Sequence, residues 1–402
     1  MTDTLKPRDA KDVEDAVVWA LGEGKTLEVA GQGSKRVIGR PSQSDLTLDL
    51  SVLSGITLYE PEELVLSARA GTPIAEIERL VADNGQELAF EPADYGPLLG
   101  GALGGGTIGG VLSTNLSGPR RIKSGAARDH FLGVSAVSGR GETFRSGGRV
   151  VKNVTGYDLC KLMAGSWGTL GAMTEVTIKT LPRAETEATI LLTGLDDRRA
   201  AQAMADAMGS SCDVSGAAHL PAMVAGSVAP SGGGKAATVF RLEGVAPSVA
   251  HRATVLAGLL KSNGVPEQCE AETSRALWRA IRNVAPFAND NRPVWRVSTA
   301  PMQGPVIAGA AAAAGGTCYF DWAGGLLWIA LPPSDDAGSS VIRPAVAGCG
   351  GHATLIRAPA AIRAAVAVFE PQDAGVAALT RRVKDSFDPK GIFNPGRMWA
   401  GI

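Results

Sequence analysis

The chain has few of the residues from which metal and disulfide sites are built. Its 402 residues include four histidines and five cysteines. No two cysteines have C-x-x-C spacing, and they are widely separated: Cys160, Cys212, Cys269, Cys318 and Cys349. A disulfide framework, a zinc site and an iron–sulfur cluster are therefore not expected. The chain is predicted to work in a reducing compartment.

A charge excess of one sign and long apolar runs are also lacking. The 39 basic and 40 acidic residues give a net charge of -1, so neither nucleic acid nor direct membrane insertion is expected. Apolar runs such as 306–314 are too short and too rich in alanine to span a bilayer. The start, MTDTLKPRDAKDVEDAV, is polar and acidic, unlike a signal or transit peptide. We expect a cytoplasmic protein.

Glycine, by contrast, is abundant, with 51 residues that are concentrated rather than spread. The most unusual run is 100-GGALGGGTIGGVLSTNLSGPRR-121. Such a run contributes little packing energy, and glycine loses more conformational freedom on folding than any other residue. The run is therefore predicted to make room for a ligand that contacts the backbone.

Hydrophobic periodicity predicts an α+β fold for the first part of the chain. Apolar residues recur on one helical face over 12–21 and again over 73–84. Alternating patterns predict strands over 26–30, 46–50 and 64–68. Short helices and strands mixed in this way are typical of an α+β domain.

The loop 29-VAGQGSKRVIGRP-41 has three interpretations. As a Rossmann fingerprint it lacks the third glycine, and Pro41 prevents the helix that the crossover needs. As an anion-binding loop, it directs backbone N–H groups at a phosphate. A plain tight turn is the third interpretation. The candidate cofactor residues of this loop are Gly31, Gln32, Gly33, Ser34 and Lys35.

A second Gly-rich turn is predicted over 104–110, followed by small hydroxyl residues. No bulky side chain there stands between the backbone and a large flat or phosphorylated ligand. A flexible linker is the alternative, but a buried strand is predicted within 126–139, and linkers are rarely embedded in this way. The candidate residues are Gly105, Thr107, Gly109, Gly110, Ser113, Ser117 and Gly118.

The third glycine cluster is 165-GSWGTLGAMTEVTIKTLPRA-184. Its glycines predict a compact turn, and a strand is predicted to follow over 173–181. The three turns each lie next to a strand, and together they are predicted to enclose one extended ligand. The candidates in this segment are Gly168, Gly171 and Val176.

Taken together, these segments resemble the FAD-binding domain of vanillyl-alcohol-oxidase (PCMH) type, an α+β fold of two subdomains. In that family a loop like 31–35 wraps the pyrophosphate, a segment like 107–110 passes the flavin, and a turn like 165–171 supports the adenosine. The motifs 118-GPRR-121, 127-ARD-129, 151-VKNVTGYDL-159 and 387-FDPKGIFNPGR-397 further resemble the FAD-binding E subunits of glycolate oxidase. Through these motifs Asp129 and Asn394 become cofactor candidates.

The resemblance implies an FAD-binding domain over 1–184, an α+β cap domain over 185–370 and a tail over 371–402 that returns to the flavin region. It implies oxidation of glycolate or a similar small 2-hydroxy acid within a complex that has a second flavin subunit and an iron–sulfur subunit. Any attachment to the inner membrane is expected through these partners. The alternative is a stand-alone FAD-dependent dehydrogenase of D-lactate type. Non-covalent FAD is expected, because Gln32 stands where a flavin-linking His is found in relatives.

Four residues are candidates for catalysis. Arg120 and Arg121 are predicted to bind a substrate carboxylate or a partner subunit, with solvated surface arginines as the alternative. Lys152 and Tyr157 form a candidate proton-handling pair, with a structural turn as the alternative. Asp129 has two interpretations, a hydrogen bond in the flavin site or the cap of a turn.

The histidines limit how much chemistry this chain is expected to perform alone. The four histidines are His130, His219, His251 and His352, and no two of them have the spacing of a metal-binding pair. The 2-hydroxy-acid oxidising relatives use a His-rich, metal-assisted site, so its lack favours an accessory subunit. His352 is a lone candidate base, although a core or turn histidine is the more common case. Trp295 and Arg296 either line the site or belong to a buried strand.

Overall fold

The computed structural model describes residues 3–149, 156–228 and 234–402. Its strands are β1 (Asp3–Leu5), β2 (Leu27–Ala30), β3 (Leu46–Asp49), β4 (Ile56–Glu60), β5 (Val65–Arg69), β6 (Gln86–Glu87), β7 (Phe131–Ser138), β8 (Thr143–Gly147), β9 (Gly171–Lys179), β10 (Leu181–Pro182), β11 (Thr186–Thr193), β12 (Gly216–Leu220), β13 (Ala237–Gly244), β14 (Glu267–Cys269), β15 (Val294–Ser298), β16 (Thr317–Asp321), β17 (Leu326–Ala330) and β18 (His352–Arg357).

The α-helices are α1 (Ala10–Gly22), α2 (Ile74–Asp83), α3 (Ile108–Thr114), α4 (Arg121–Ser124), α5 (Leu159–Met163), α6 (Asp197–Met208), α7 (Ala222–Ala225), α8 (Ala246–Leu260), α9 (Ala271–Arg282), α10 (Gly304–Ala313), α11 (Ser339–Cys349), α12 (Ala360–Ala365) and α13 (Ala374–Phe387). Across the described ranges, no helix combines the length and apolarity needed to cross a membrane.

The chain forms two compact units. Unit 1 contains Met1–Ser117, Gly125–Arg183 and Pro371–Ile402, and unit 2 contains Gly118–Ser124 and Ala184–Glu370. The short segment 118–124 falls within the range that the sequence assigns to the first domain, yet it groups with unit 2.

Unit 1 contains an antiparallel five-stranded sheet in the order β4-β5-β9-β7-β8 and a parallel three-stranded sheet in the order β1-β3-β2. Helices α2 and α3 bury their apolar residues against the larger sheet, and α1 buries Val13, Val17 and Ala20 against the smaller one. The helices predicted over 12–21 and 73–84 and the three strands predicted before residue 70 are confirmed. Helix–sheet packing in both layers gives the predicted α+β class.

Unit 2 is built on one antiparallel sheet of eight strands in the order β14-β11-β13-β12-β16-β17-β15-β18. The Ala-rich stretch 308–316 provides most of α10, which buries Ile307, Ala308 and Ala311. Small side chains allow such a helix to approach its neighbours closely, and alanine is the strongest helix former. Trp295 on β15 is fully buried and donates its indole N–H to the carbonyl of Ala337, so it belongs to the core.

The second Gly-rich turn is shorter than predicted, because part of the segment 104–110 is helical. Helix α3 begins at Ile108, and Thr107 caps it by accepting a 3.3 Å hydrogen bond from Gly110 N–H. A side chain on Gly109 would clash, since an added Cβ would lie 2.9 Å from both the Cβ and the carbonyl oxygen of Ala70. Gly109 is therefore required for the close packing of α3 on the strand end at Ala70.

Candidate functional site

A cavity lies within unit 1. One side is formed by β2 and the loop 31–36, which we call the first wall, and another by the turn 165–171, the second wall. The start of α3 lies between them in sequence. The lining includes these predicted cofactor residues: Gly31, Gln32, Gly33, Ser34, Lys35, Thr107, Gly109, Gly110, Ser113, Gly168 and Gly171.

Backbone rather than side chain forms much of both walls. A Cβ at Gly31 would lie 2.5 Å from Thr107 Oγ1, and a Cβ at Gly168 would lie 2.5 Å from Asn394 Nδ2. Side chains are excluded by such short distances, because protein interiors are close-packed. Gly33 and Gly168 also have φ values of 75° and 73°, a left-handed conformation that glycine adopts without strain. These positions therefore present bare backbone, and their contact with a ligand stays a prediction.

Gln32 links two of the three Gly-rich segments. Its side-chain Oε1 accepts a 2.8 Å hydrogen bond from the backbone N–H of Gly106. This bond fixes the first wall to the glycine run that precedes α3. Among the described residues that line the cavity, none is His or Cys.

Lys35 is a buried cation at the same cavity, and its residue is 9% exposed. Burial lowers the pKa of its ammonium group to about 8, against a weaker opposing attraction from Asp94. The attraction of Asp94 offsets only part of the cost of burial, and an anion beside the ammonium would offset more of it. The residues present thus fit a phosphate-bearing cofactor.

Residues of the C-terminal motif complete the cavity. Arg397 lines it, is nearly buried, and donates a 3.0 Å hydrogen bond from Nη2 to the carbonyl of Lys35. Its guanidinium carbon lies 5.9 Å from the centre of the Trp167 ring. Trp167 itself has a φ of 55°, which is unusual for a residue other than glycine. Arg397 and Trp167 were not among the predicted site residues, although both lie in the quoted motifs.

Several predicted cofactor residues do not line the cavity: Gly105, Ser117, Gly118, Asp129, Val176 and Asn394. Val176 points into the hydrophobic core of unit 1. Asp129 accepts a 2.9 Å hydrogen bond from Ala126 N–H and caps a short turn, which was the alternative interpretation. Ser117 accepts a 2.9 Å hydrogen bond from the N–H of Ala127.

Of the predicted cofactor residues outside the lining, Gly105 lies next to the cavity, whereas Gly118 belongs to the other unit. A Cβ at Gly105 would lie 3.6 Å from the Cβ of Ser34, so Gly105 packs on the residue that lines the cavity. Gly118 belongs to unit 2, where its carbonyl accepts a 3.0 Å hydrogen bond from the indole N–H of Trp322. Asn394 hydrogen-bonds to Val29 in the first wall and to Trp167 in the second wall.

Arg120 and Arg121, adjacent in sequence, have different partners within unit 2. Arg120 forms a two-point ion pair with Glu243, and both side chains are nearly buried. The charges of Arg241 and Arg120 hold the pKa of Glu243 below its usual range, despite the opposing effect of burial. A buried, two-point pair of this kind is structural, so Arg120 is not the expected carboxylate ligand.

Arg121 and Arg296 stack on the same aromatic ring. Their guanidinium carbons lie 4.6 Å and 4.9 Å from the centre of the Trp322 ring. Two guanidinium groups around one ring concentrate positive charge, and guanidinium is the group that binds carboxylates with two hydrogen bonds. Unit 2 therefore contains a candidate anion site, which we call the arginine pair.

His352 stands close enough to the arginine pair to be affected by it. Partial burial, followed by the positive charge of Arg296 and then that of Arg121, lowers the pKa of His352, and Glu370 opposes them. A lowered pKa keeps the imidazole neutral and able to accept a proton at neutral pH. His352 thus remains a candidate base, with two arginines nearby.

The predicted pair of Lys152 and Tyr157 receives no support from the structure. Lys152 lies outside the described residues. Tyr157 is 90% exposed, and it follows a bend beside the N-cap of α5. The proton-handling role of Lys152 and Tyr157 stays a prediction.

Trp322 is the functional candidate that sequence reasoning missed entirely. It lies in a turn between β16 and β17, with a φ of 51°. Neither its spacing nor its neighbours in sequence mark it as a site residue. Only the fold brings Trp322 to Arg121 and Arg296, which are far apart in the sequence.

The fold and the Gly-lined cavity together define a class of protein, the FAD-linked oxidoreductases. Residues 4–147 match the family described as "FAD binding domain", and residues 368–398 match "FAD linked oxidases, C-terminal domain". The solved structure of p-cresol methylhydroxylase with substrate bound has the same fold, with a TM-score of 0.73 at 16% identity, over 98% of this chain and 88% of that one.

Relatives place the chain more closely. Glycolate oxidase subunit GlcE of Escherichia coli (strain K12) is 33% identical over 389 residues, which is 96% of this chain and 97% of that protein. Glycolate oxidase subunit GlcD of Bacillus subtilis (strain 168) is 30% identical over 203 residues, which is 50% of this chain and 42% of that protein. The chain belongs to the FAD-binding family of PCMH and vanillyl-alcohol-oxidase type, as its motifs predict.

Proposed function

We propose that this chain is the FAD-carrying subunit of a complex that oxidises glycolate, or a similar small 2-hydroxy acid, to the 2-oxo acid. The observation that carries the proposal is the similarity to a glycolate oxidase subunit over nearly the full length of both chains. A second flavin subunit and an iron–sulfur subunit are the proposed partners.

FAD is proposed to bind non-covalently in the cavity of unit 1. The first wall offers bare backbone at Gly31 and Gly33, and Lys35 offers a buried positive charge. These groups match a pyrophosphate, which needs N–H donors and a cation. None of the described residues that line the cavity is a His or a Cys, the residues to which a flavin is usually attached covalently. FAD, when bound, supplies the two-electron acceptor chemistry that side chains do not have.

The arginine pair is proposed to bind the carboxylate of the substrate. Arg121 and Arg296 are held against Trp322, so their guanidinium groups are ordered before an anion arrives. Preordered donors bind an anion more tightly, because less side-chain entropy is lost. His352 is the proposed acceptor of the substrate's hydroxyl proton. Arg120 is assigned to the stability of unit 2 through its pair with Glu243.

The alternative function is a stand-alone FAD-dependent dehydrogenase of D-lactate type. One observation favours it, namely that this chain has its own candidate anion site and base. Against it stand the scarcity of histidine and the description of the full-length relative as a subunit.

Anaerobic bleaching of the flavin by glycolate separates the two functions. We expect slow bleaching for the purified chain and fast bleaching when the partner subunits are co-purified with it. In the complex, Arg121→Ala should lower the rate at sub-saturating glycolate, while the exposed Arg279→Ala in the same unit should not. Fast turnover by the single chain would overturn the accessory role, and a purified chain that binds no FAD would overturn the proposal itself.

A further inference from the structure

The C-terminal tail, which we define as residues 388–397, runs beside the first wall. The N–H of Leu27 donates a 2.7 Å hydrogen bond to the carbonyl of Ile392, and Asn394 N–H donates a 2.9 Å hydrogen bond to the carbonyl of Leu27. The tail thus pairs with β2 as a short parallel bridge between Leu27 and Phe393. It ends this pairing at Asn394, whose φ of 42° turns the chain away.

The side chain of Asn394 continues the pairing where the backbone leaves it. Its Oδ1 accepts a 3.0 Å hydrogen bond from Val29 N–H in the first wall. Its Nδ2 donates a 2.8 Å hydrogen bond to the carbonyl of Trp167 in the second wall. Asn394 is 1% exposed, so both bonds are shielded from water. One carboxamide therefore joins the two walls without lining the cavity.

A buried ion pair anchors the tail from behind. The ammonium of Lys384 donates to Asp388 Oδ2 at 2.7 Å, to the carbonyl of Thr169 at 2.6 Å and to that of Phe393 at 3.1 Å. Asp388 in turn accepts hydrogen bonds from the N–H groups of Ile392 and Phe393. Both residues are nearly fully buried. The position of Asn394 is thus determined by hydrogen bonds within the tail and by the contact of Lys384 with the second wall.

We propose that Asn394 is a positioning residue, which holds the two walls of the cavity at the separation that FAD requires. The proposal rests on the proposed function in one respect, that FAD occupies this cavity. Without the carboxamide, Val29 N–H and the Trp167 carbonyl lose their partners, and the apoprotein spends part of its time with the walls apart. Affinity then falls in proportion to the remaining fraction of the competent state.

Asn394→Gly isolates this effect, because glycine tolerates the φ of 42° and only the carboxamide is removed. We expect the Kd for FAD, measured by flavin fluorescence titration of the apoprotein, to rise about tenfold, which corresponds to ~1.4 kcal/mol. The matched control is Asp213→Gly in unit 2. Asp213 has a φ of 54°, and its carboxylate forms a salt bridge with Lys123 of the same unit. The Kd of this variant for FAD should stay within about twofold of the wild type.

Asn394→Asp supplies a pH profile that a purely structural role does not produce. A protonated carboxyl group has both a donor and an acceptor, as the carboxamide has, whereas a carboxylate has acceptors only. Burial raises the pKa of such a carboxyl group, so the Kd of this variant should rise between about pH 5 and pH 7, while that of the wild type stays level. A level profile for Asn394→Asp would refute the proposal even if the glycine variant failed to fold.

The two proposals fail differently. If the Asn394→Gly variant binds FAD with the same Kd as the wild type, the positioning role is overturned and the proposed function stays intact. Hydrogen exchange of the Val29 amide tests positioning without any cofactor, since it should be faster in the Asn394→Gly apoprotein than in the wild type. If the wild-type chain does not bind FAD, but the Val29 amide still exchanges faster in the Asn394→Gly variant than in the wild type, the proposed function alone is overturned.

Discussion

Lys35 makes the affinity for FAD dependent on pH in a direction that the structure determines. Burial lowers the pKa of its ammonium to about 8, from an ordinary value of about 10.4. Holding the charge in the empty cavity therefore costs ~3 kcal/mol at neutral pH. A pyrophosphate beside Lys35 removes this cost and returns the pKa toward its ordinary value. FAD is then bound together with a proton whenever Lys35 is neutral in the apoprotein.

The magnitude follows from the two pKa values. Below about pH 7 Lys35 is charged in both states, and the Kd is level. Between pH 7 and pH 9 the apoprotein loses the proton and the complex keeps it, so the Kd should rise about tenfold. The assay is flavin fluorescence titration of the apoprotein at fixed ionic strength. A Kd that stays level from pH 7 to pH 9 would refute the reasoning.

The free energy of unfolding should change with pH in the opposite direction to the affinity for FAD. The unfolded chain holds the Lys35 proton up to about pH 10.4, whereas the folded apoprotein releases it at about pH 8, so the free energy of unfolding should rise with pH across this window. Lys35→Met removes the buried charge at similar length. We expect this variant to melt at a higher temperature than the wild-type apoprotein at pH 7, to bind FAD more weakly, and to lose the pH dependence of the Kd. Lys11→Met, at an exposed position, is the matched control.

Three further outcomes are expected. Gly109→Ala should destabilise the apoprotein by about 1–3 kcal/mol through overpacking, as measured by thermal unfolding; Gly22→Ala, which has open space around its Cβ position, should not, and an equal effect at both would contradict the packing argument. Arg120→Ala should lower the melting temperature, because it leaves Glu243 short of a buried partner, whereas Arg121→Ala should leave it near the wild type; the reverse order would exchange the two roles. Acid denaturation should release all of the flavin, and yellow colour retained by the precipitated protein would disprove non-covalent binding.

The Gly-rich loops were predictable from sequence because glycine has a specific physical use. A side chain is excluded where it would collide with another part of the protein, and a Cβ at Gly31 or Gly168 would lie 2.5 Å from the side chain of Thr107 or Asn394. The same logic identified Gly109 but gave the wrong reason. Its Cβ position is blocked by Ala70 and not by the surface on which a cofactor would lie. A single sequence shows that a residue must be small, but not what it must be small against.

The roles of Arg120 and Arg121 show where such reasoning ends. Both follow Gly118-Pro119 and have the same chemistry, so the sequence alone does not distinguish them. Their difference comes from residues that are far away in sequence: Glu243 on β13 pairs with one, and Trp322 beyond β16 stacks with the other. An arginine paired with a buried carboxylate contributes to stability, whereas an arginine stacked on an aromatic face gains a cation–π contact. The same two side chains therefore acquire different contacts only when the eight-stranded sheet of unit 2 has formed.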